Sequence, residues 1–531
     1  MAKPSSMSIL AVCFLLFFTR FELSSAVEVY QTFLQCMTNQ TGPEISKAIF
    51  AKTNSAYTSV LQAYLRNARL NTSTAPKPEI IITPLQESHV QAAVICSKKV
   101  GFRLKIRSGG HDYDGISYVS DLPFFMLDMY NLRSVTVDMA DLSAWVGSGA
   151  TLGEVYHAIW KKSKVLGFPA GVCPTVGAGG HISGGGYGNM IRKYGLSVDH
   201  MVDAKIVDVN GRILYRKSMG EDLFWAIRGG GGASFCVILS YKLKLVPVPE
   251  TVTVFRVQYY MEENALDITH KWQFVGPKTN PGLFMRVLLQ PITWKKNRTI
   301  RTTIMALFLG KADEVVSLLG KEFPEMGLKK ENCTEMTWIQ SVLWWSNIDD
   351  VNSVTPDVLL DRHPGSGSFM KRKSDYVSKE ISKPDLESLF KQMIKIGKTG
   401  LVFNPYGGAL KEVSATETPF PHRDKLYKIQ YSVNWVDAGI EADKQFMNEI
   451  RTLYGYMTPL VSQNPRGSYI NYRDLDIGIN KLGGNVYEEG KVYGKMYFGD
   501  NFDRLVKVKT AVDPGNFFWN EQSIPPLKTA A

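Results

Sequence analysis

A mixed α+β fold with more than one domain follows from three features of the chain. Between residues 79 and 107 a short strand, a helix and a second strand lead directly into a glycine-rich loop. From 251 to 460, period-2 strands alternate with amphipathic helices, the pattern of an antiparallel sheet covered by helices on one side. The 531 residues, 44% hydrophobic and 21% charged, are enough for two domains, each with a large core.

Residues 1–26 are built like a secretory signal, with Lys3 ahead of an apolar core from Ile9 to Phe18 and Ser24-Ser25-Ala26 for cleavage. That core is too short to cross a bilayer, and no later run reads as a span or a lipid anchor, so export without a membrane anchor is expected. The N-terminal segment 27–75 mixes helix and loop, and VEVYQTFLQC reads as a short amphipathic helix. Pro76 and Pro78 open a domain expected over 76–250. Within it Glu79–Ile82 is a buried strand, Glu87–Val100 a helix and Arg103–Arg107 a second strand, carrying His111 to a strand end. Further strands are expected at Phe124–Leu127, Ser134–Asp138 and Ser143–Gly147. Thr151 and Glu154 have capping-box spacing for a helix reaching Lys162. Asn210-Gly211 marks a hairpin between Val202–Val209 and Gly211–Tyr215. The next domain, 251–464, has strands at Thr251–Tyr259, Thr299–Phe308 and Leu426–Trp435, and a C-terminal segment covers 465–531.

Two loops stand out, RSGGHDYDG from Arg107 and GVCPTVGAGGHISGGGYG from Gly171. Dense glycine lets backbone N–H groups approach a ligand such as a diphosphate. None of the glycine runs has G-x-G-x-x-G spacing, which argues against a Rossmann site. Each loop instead holds a side chain able to bond an electrophilic ring, His111 and Cys173.

These loops closely resemble those of the berberine bridge enzyme-like family of plant flavoproteins, in the vanillyl-alcohol-oxidase superfamily. The run YINYRDLDIGIN…YFGDNFDRLVKVKTAVDPGNFFWNEQSIPPL, with Asn516, carries the same resemblance. It implies a vanillyl-alcohol-oxidase-type FAD-binding domain, to which 465–531 returns, and a substrate domain. It further implies one FAD bonded through His111 and Cys173, with Arg107, Ser108, Gly109, Gly110, Gly177, Gly179, Gly180, Gly186 and Asn516 around it. Val176 matches the family's oxygen-gate position, where valine accompanies oxidase behaviour.

Period-2 alternation puts Lys428 and Gln430 on one face of their strand. A phenol is a poor base unless a cation lowers its pKa, and Lys428 near Tyr469 or Tyr472 is expected to do so. The resemblance assigns Tyr472 as base with Tyr469 beside it and adds Tyr113 and Tyr187; Asn404 in FNPYGG is also expected to touch substrate. Because berberine bridge enzyme has glutamate where this chain has Gln430, an alcohol oxidase is the leading expectation. Its substrate would be a monolignol-type allylic alcohol or a cell-wall oligosaccharide, and its electrons would pass to O2, giving H2O2. An oxidative cyclase of an alkaloid-like metabolite and a non-catalytic, flavin-loaded wall or defence protein are the alternatives.

Cys36 and Cys96 are expected to pair in an oxidising compartment, as that pair does in the resembled family, leaving Cys236 and Cys333 reduced and buried. Asn39, Asn71, Asn297 and Asn332 head glycosylation sequons. A net charge of +11 and a pI near 9.1 suit retention by an acidic wall polysaccharide. Scattered basic residues on an exported chain give no nucleic-acid partner. His157, His181, His200, His270, His363 and His422 lack zinc-site spacing, so no metal is expected, and Asp199 and Asp203 read as turn and surface groups. His181 reads as a packing or pyrophosphate-side residue, and the chain as a monomer.

Overall fold

The computed structural model describes residues 28–72, 74–363, 367–481 and 485–527; the expected signal, with Cys13, lies outside them. A helix over 28–41 is joined by the Cys36–Cys96 disulfide to the helix Glu87–Lys99. Four strands follow, β1 (Ile49–Ala51), β2 (Ile80–Ile82), β3 (Arg103–Arg107) and β4 (Phe124–Asp128), in the order β1-β2-β4-β3. Thus β2 and β3 form no pair of their own: β4 lies between them, parallel to both. All five residues of β4 are buried, as an interior strand requires.

The next sheet holds β5 (Val135–Asp138) and β6 (Ser143–Gly147), then, beyond a short strand β7 (Leu166–Gly167), β8 (Met201–Val207), β9 (Ile213–Leu214) and β10 (Val237–Lys244). Its order is β5-β6-β10-β8-β9. Thr151 and Glu154 close both bonds of the capping box at the helix Leu152–Lys162. The hairpin strands β8 and β9 are shorter than expected because the Asp208 carboxylate takes the N–H groups of Asn210 and Arg212, which ends the ladder in an Asx turn. Strand β11 (Val246–Pro247) pairs with β7.

The remaining strands form one antiparallel sheet from β12 (Val252–Tyr260), β13 (Leu283–Trp294), β14 (Asn297–Phe308), β15 (Cys333–Met336), β16 (Phe369–Val377), β17 (Gly400–Pro405) and β18 (Tyr427–Trp435), ordered β15-β12-β14-β13-β17-β18-β16. One face is apolar: Leu289, Ile304, Phe403 and Ile429 share a core with Trp272, Leu319, Phe390 and Ile450 from four covering helices. Alternation therefore sends Arg286, Asn404, Lys428 and Gln430 to the opposite face.

Arg192 rivets that sheet to the glycine-rich region. Its buried guanidinium donates to the carbonyls of Tyr406, Asn280, Leu283 and Thr279 at 3.1, 2.9, 2.5 and 2.6 Å. Burial lowers its pKa to about 10. Two expectations are corrected. Cys333 is partly exposed, at the start of the edge strand β15, whereas Cys236 is buried. Asp199 is no surface group: it accepts the Leu196 N–H and pairs with buried Arg423 at 2.7 Å.

Arg192→Met leaves three buried carbonyls and a partly buried one without this donor, and a fall in unfolding free energy of about 3 kcal/mol or more is expected. Arg192→Lys, with one donor head instead of a fork, should recover only part of it. Equal urea midpoints for all three proteins would refute the rivet.

Candidate active site

The His111 loop leaves the end of β3, and the Cys173 loop precedes the short helix Ala178–Ser183. They touch through their glycines. A Cβ on Gly109 would lie 2.3 Å from the Gly177 nitrogen, and one on Gly177 would lie 2.3 Å from the Gly109 nitrogen. Gly110 has φ +64° with the Tyr64 carbonyl where its Cβ would go. The glycine demand thus comes largely from chain packed on chain, while Gly180 alone of the expected cofactor glycines faces open space.

His111 and Cys173 line one cavity of about 350 Å³. His111 Nε2 lies 3.1 Å from the Thr175 hydroxyl. Burial, aided by Arg66, pushes its pKa down to about 3, so the imidazole is neutral and nucleophilic. Cys173 is open to the cavity. Burial raises its thiol above the ordinary range, while Arg286 and Arg66 pull it back.

The polar face of the seven-stranded sheet supplies the opposite wall. Lys428 pairs in register with Asn404 on one side and Tyr376 on the other. It is 0% exposed, and its Nζ has no hydrogen-bond partner. The amine sits 3.4, 3.8 and 4.4 Å from the ring centroids of Tyr187, Tyr472 and Tyr469. Three ring faces favour an ammonium by about 0.5–2 kcal/mol each, but stripping an ammonium of water costs several kcal/mol. Burial prevails, helped by Arg286, and the pKa of Lys428 falls well below its ordinary value.

Tyr187 and Tyr472 share a 2.6 Å hydrogen bond. Gln430 donates to the Tyr113 hydroxyl at 2.9 Å. The Tyr469 hydroxyl accepts from the Gly186 N–H and from Asn471. The expectation that Lys428 lowers a phenol is not met. Burial raises Tyr472 well above 10, and Arg286, not Lys428, is the cation that opposes it.

Of the expected cofactor residues, Ser108, Gly109, Gly110, Gly177, Gly179 and Gly180 line the cavity. Arg107 is turned away from it, paired with Asp128 at 2.6 Å and donating to the Val60 and Leu61 carbonyls. Gly186 and Asn516 also stand off the lining; Asn516 occupies a tight turn at φ 51°. Val176 is on it, with Tyr113, Tyr187, Gln430, Tyr469 and Tyr472, while Lys428 and Asn404 lie behind that wall. His181 lines it too; its Nε2 accepts the Gly171 N–H, and burial lowers its pKa to about 4.

Arg286 escaped the sequence reading. It lines the cavity, donates to Asn404 at 2.8 Å and stacks 5.1 Å from the Trp345 ring. Its signal was present: one charge inside the apolar run Leu283-Phe284-Met285-Arg286-Val287-Leu288-Leu289. The cavity also suits FAD in chemistry. Ser148 Oγ and Asp112 Oδ1 are buried on its rim without a protein partner, as groups awaiting a polar ligand would be.

Residues 78–215 match the FAD binding domain family model, and 468–525 match the berberine and berberine-like model. Berberine bridge enzyme-like 21 of Arabidopsis thaliana is 63% identical over 97% of this chain and 96% of its own. The grass pollen allergen Phl p 4, described as having glucose dehydrogenase activity, superposes with a TM-score of 0.88 at 42% identity, covering 94% of this chain and all of that one. Berberine bridge enzyme from Eschscholzia californica gives 0.88 at 36% identity, over 94% and 100% of the chains. With the fold, the cavity and these relatives in agreement, the chain belongs to the berberine bridge enzyme-like family of FAD-dependent oxidoreductases.

Proposed function

We propose that this flavoprotein is an exported alcohol oxidase, holding FAD through both His111 and Cys173 and oxidising a cell-wall oligosaccharide at its anomeric carbon, with O2 taken to H2O2. The observation that carries the reading is one cavity lined by His111, Cys173 and the phenols Tyr187, Tyr469 and Tyr472, with Lys428 packed behind those three rings. FAD, when bound, supplies the hydride acceptor and the route of electrons to O2.

The chain's own task is the hydroxyl proton. Removing it as hydride leaves builds alkoxide character on the substrate. Tyr472, in its phenolate form, takes that proton and becomes a phenol, with Tyr187 donating to its oxygen across the 2.6 Å bond. The amine of Lys428 lies against the faces of both rings. Gln430 and Tyr113 orient the substrate, and Asn404 holds Arg286 in place. An amide at Gln430 cannot serve as a base, which argues against oxidative cyclisation.

An oligosaccharide is favoured because the polar sheet face runs on past the cavity. Arg286, Gln290 and Trp294 share one face of β13, the last roughly 27 Å along the strand from the first. There Arg301 donates to Gln290 at 2.8 Å and Tyr260 stacks on Trp294 at 4.4 Å. A monolignol-type alcohol is the second reading, favoured by the aromatic walls, and would leave that track unused. For Phl p 4, a glucose dehydrogenase, a variant exchanging one isoleucine for valine is described as a glucose oxidase. Val176 on the cavity lining supports oxidase behaviour here by the same size argument. Export is supported by the signal-like 1–26, the Cys36–Cys96 disulfide and four exposed sequon asparagines, Asn39, Asn71, Asn297 and Asn332.

The unfolded chain should remain fluorescent on a denaturing gel, stay so in His111→Ala and in Cys173→Ala, and lose its pigment only in the double variant. A colourless unfolded parent would end the double-tether proposal. In a peroxide-release panel, oligosaccharides should exceed monolignols in kcat/KM, and no peroxide from either class would overturn the substrate reading.

Lys428→Met should cut turnover by about 10²–10⁴-fold while flavin stays attached. The pH profile should respond to Arg286, whose charge lowers Lys428 and opposes the rise at Tyr187 and Tyr472. Arg286→Met raises all three pKa values, so proton-free forms appear only at higher pH. The rising limb of kcat/KM should therefore move upward by roughly one pH unit; a downward or absent shift would contradict the electrostatics.

A further inference from the structure

Two chain segments far apart in sequence bring Tyr113 and Tyr472 to the site, with ring centroids 5.5 Å apart. No direct hydrogen bond joins the two rings, yet beside each tyrosine an aspartate is held by the same lysine. Lys371, on the edge strand β16, reaches Asp114 at 2.6 Å and Asp474 at 2.8 Å. Asp114 directly follows Tyr113, and Asp474 lies two residues past Tyr472. The same Asp114 oxygen also accepts the Leu475 N–H at 2.9 Å, so loop and C-terminal segment meet at one point. The side chains of Lys371, Asp114 and Asp474 are 2%, 7% and 2% exposed. Ions this dry keep one geometry, because separating any of them leaves an uncompensated buried charge.

We propose that Lys371 is a positioning residue that sets the spacing of Tyr113 and Tyr472 by gripping the segment behind each. The inference rests on the assignment of those two phenols to the substrate site. A purely structural role can be told apart because the fold supplies a control. Lys373, two residues along β16 and equally buried, pairs with Asp474 and Asp476 at 2.6 and 2.7 Å but not with Asp114. It holds the C-terminal segment alone and cannot fix the distance between the two.

The test uses the full-length flavoprotein with 3-fluorotyrosine placed at position 472, read by its ¹⁹F resonance, alongside kcat and KM on the best substrate. Lys371→Met should shift or broaden the resonance and lower kcat roughly ten- to a hundredfold, with KM changed less than kcat. Lys371→Arg should restore both. Lys373→Met should lower the melting temperature while leaving resonance and kcat near the parent. If Lys371→Met does not fold, Asp114→Asn, which keeps the Leu475 contact, carries the same two measurements. An unchanged resonance in the folded variant, or an equal loss in Lys373→Met, overturns the proposal. Should no substrate be found, the ¹⁹F arm still decides the positioning role, so its failure is distinct from failure of the oxidase reading.

Discussion

A primary amine without a hydrogen-bond partner, shut away from water beneath three tyrosines, is the feature on which the site depends. A side chain as flexible as lysine reaches for solvent unless its surroundings forbid it. Here they do. Strand β18 is flanked by β17 and β16, and its alternate residues Tyr427, Ile429 and Tyr431 are sunk in the helix-covered core. A one-residue slip would bring all of these to the wrong face, so the register that fills the core also aims Lys428 at the rings. Burial then holds the pKa of the amine well below its ordinary value.

The glycine-rich loops make a parallel point about cause. Their composition suggests a cradle for a phosphate, yet contacts at Gly109 and Gly177 show two backbones pressed together more closely than any side chain allows. That closeness is useful in itself. It brings His111 and Cys173, from separate loops, to the lining of one cavity, and ligand access is left to Gly180 and the rim.

Most of what alternation or capping governs was legible. The Thr151 capping box, the shared face of Lys428 and Gln430, and the strands β3 and β6 lie where the residues place them. Long-range choices were not. Nothing local to Ile80–Ile82 or Arg103–Arg107 says that β4 will slip between them, because strand order is settled by which apolar strand can be covered on both faces. Arg107 misled for a related reason: the family resemblance placed it around the cofactor, whereas its strand position turns it inward to Asp128. Arg286 was not legible because a single charge in an apolar strand says nothing local about which cavity its face will line.

That arginine explains why the phenols and the amine belong to one electrostatic unit. Arg286 is fixed by Asn404 and Trp345, so its charge cannot swing away when a proton moves nearby. Its field lowers Lys428 and opposes the rise at both Tyr187 and Tyr472. Burial alone would raise the phenols and lower the amine, driving apart two proton affinities that are close in water. The permanent cation then favours anionic character wherever it develops, on a phenol or on the substrate oxygen. Both the divergence of those affinities and the reach of the fixed positive charge depend on one sheet face staying dry.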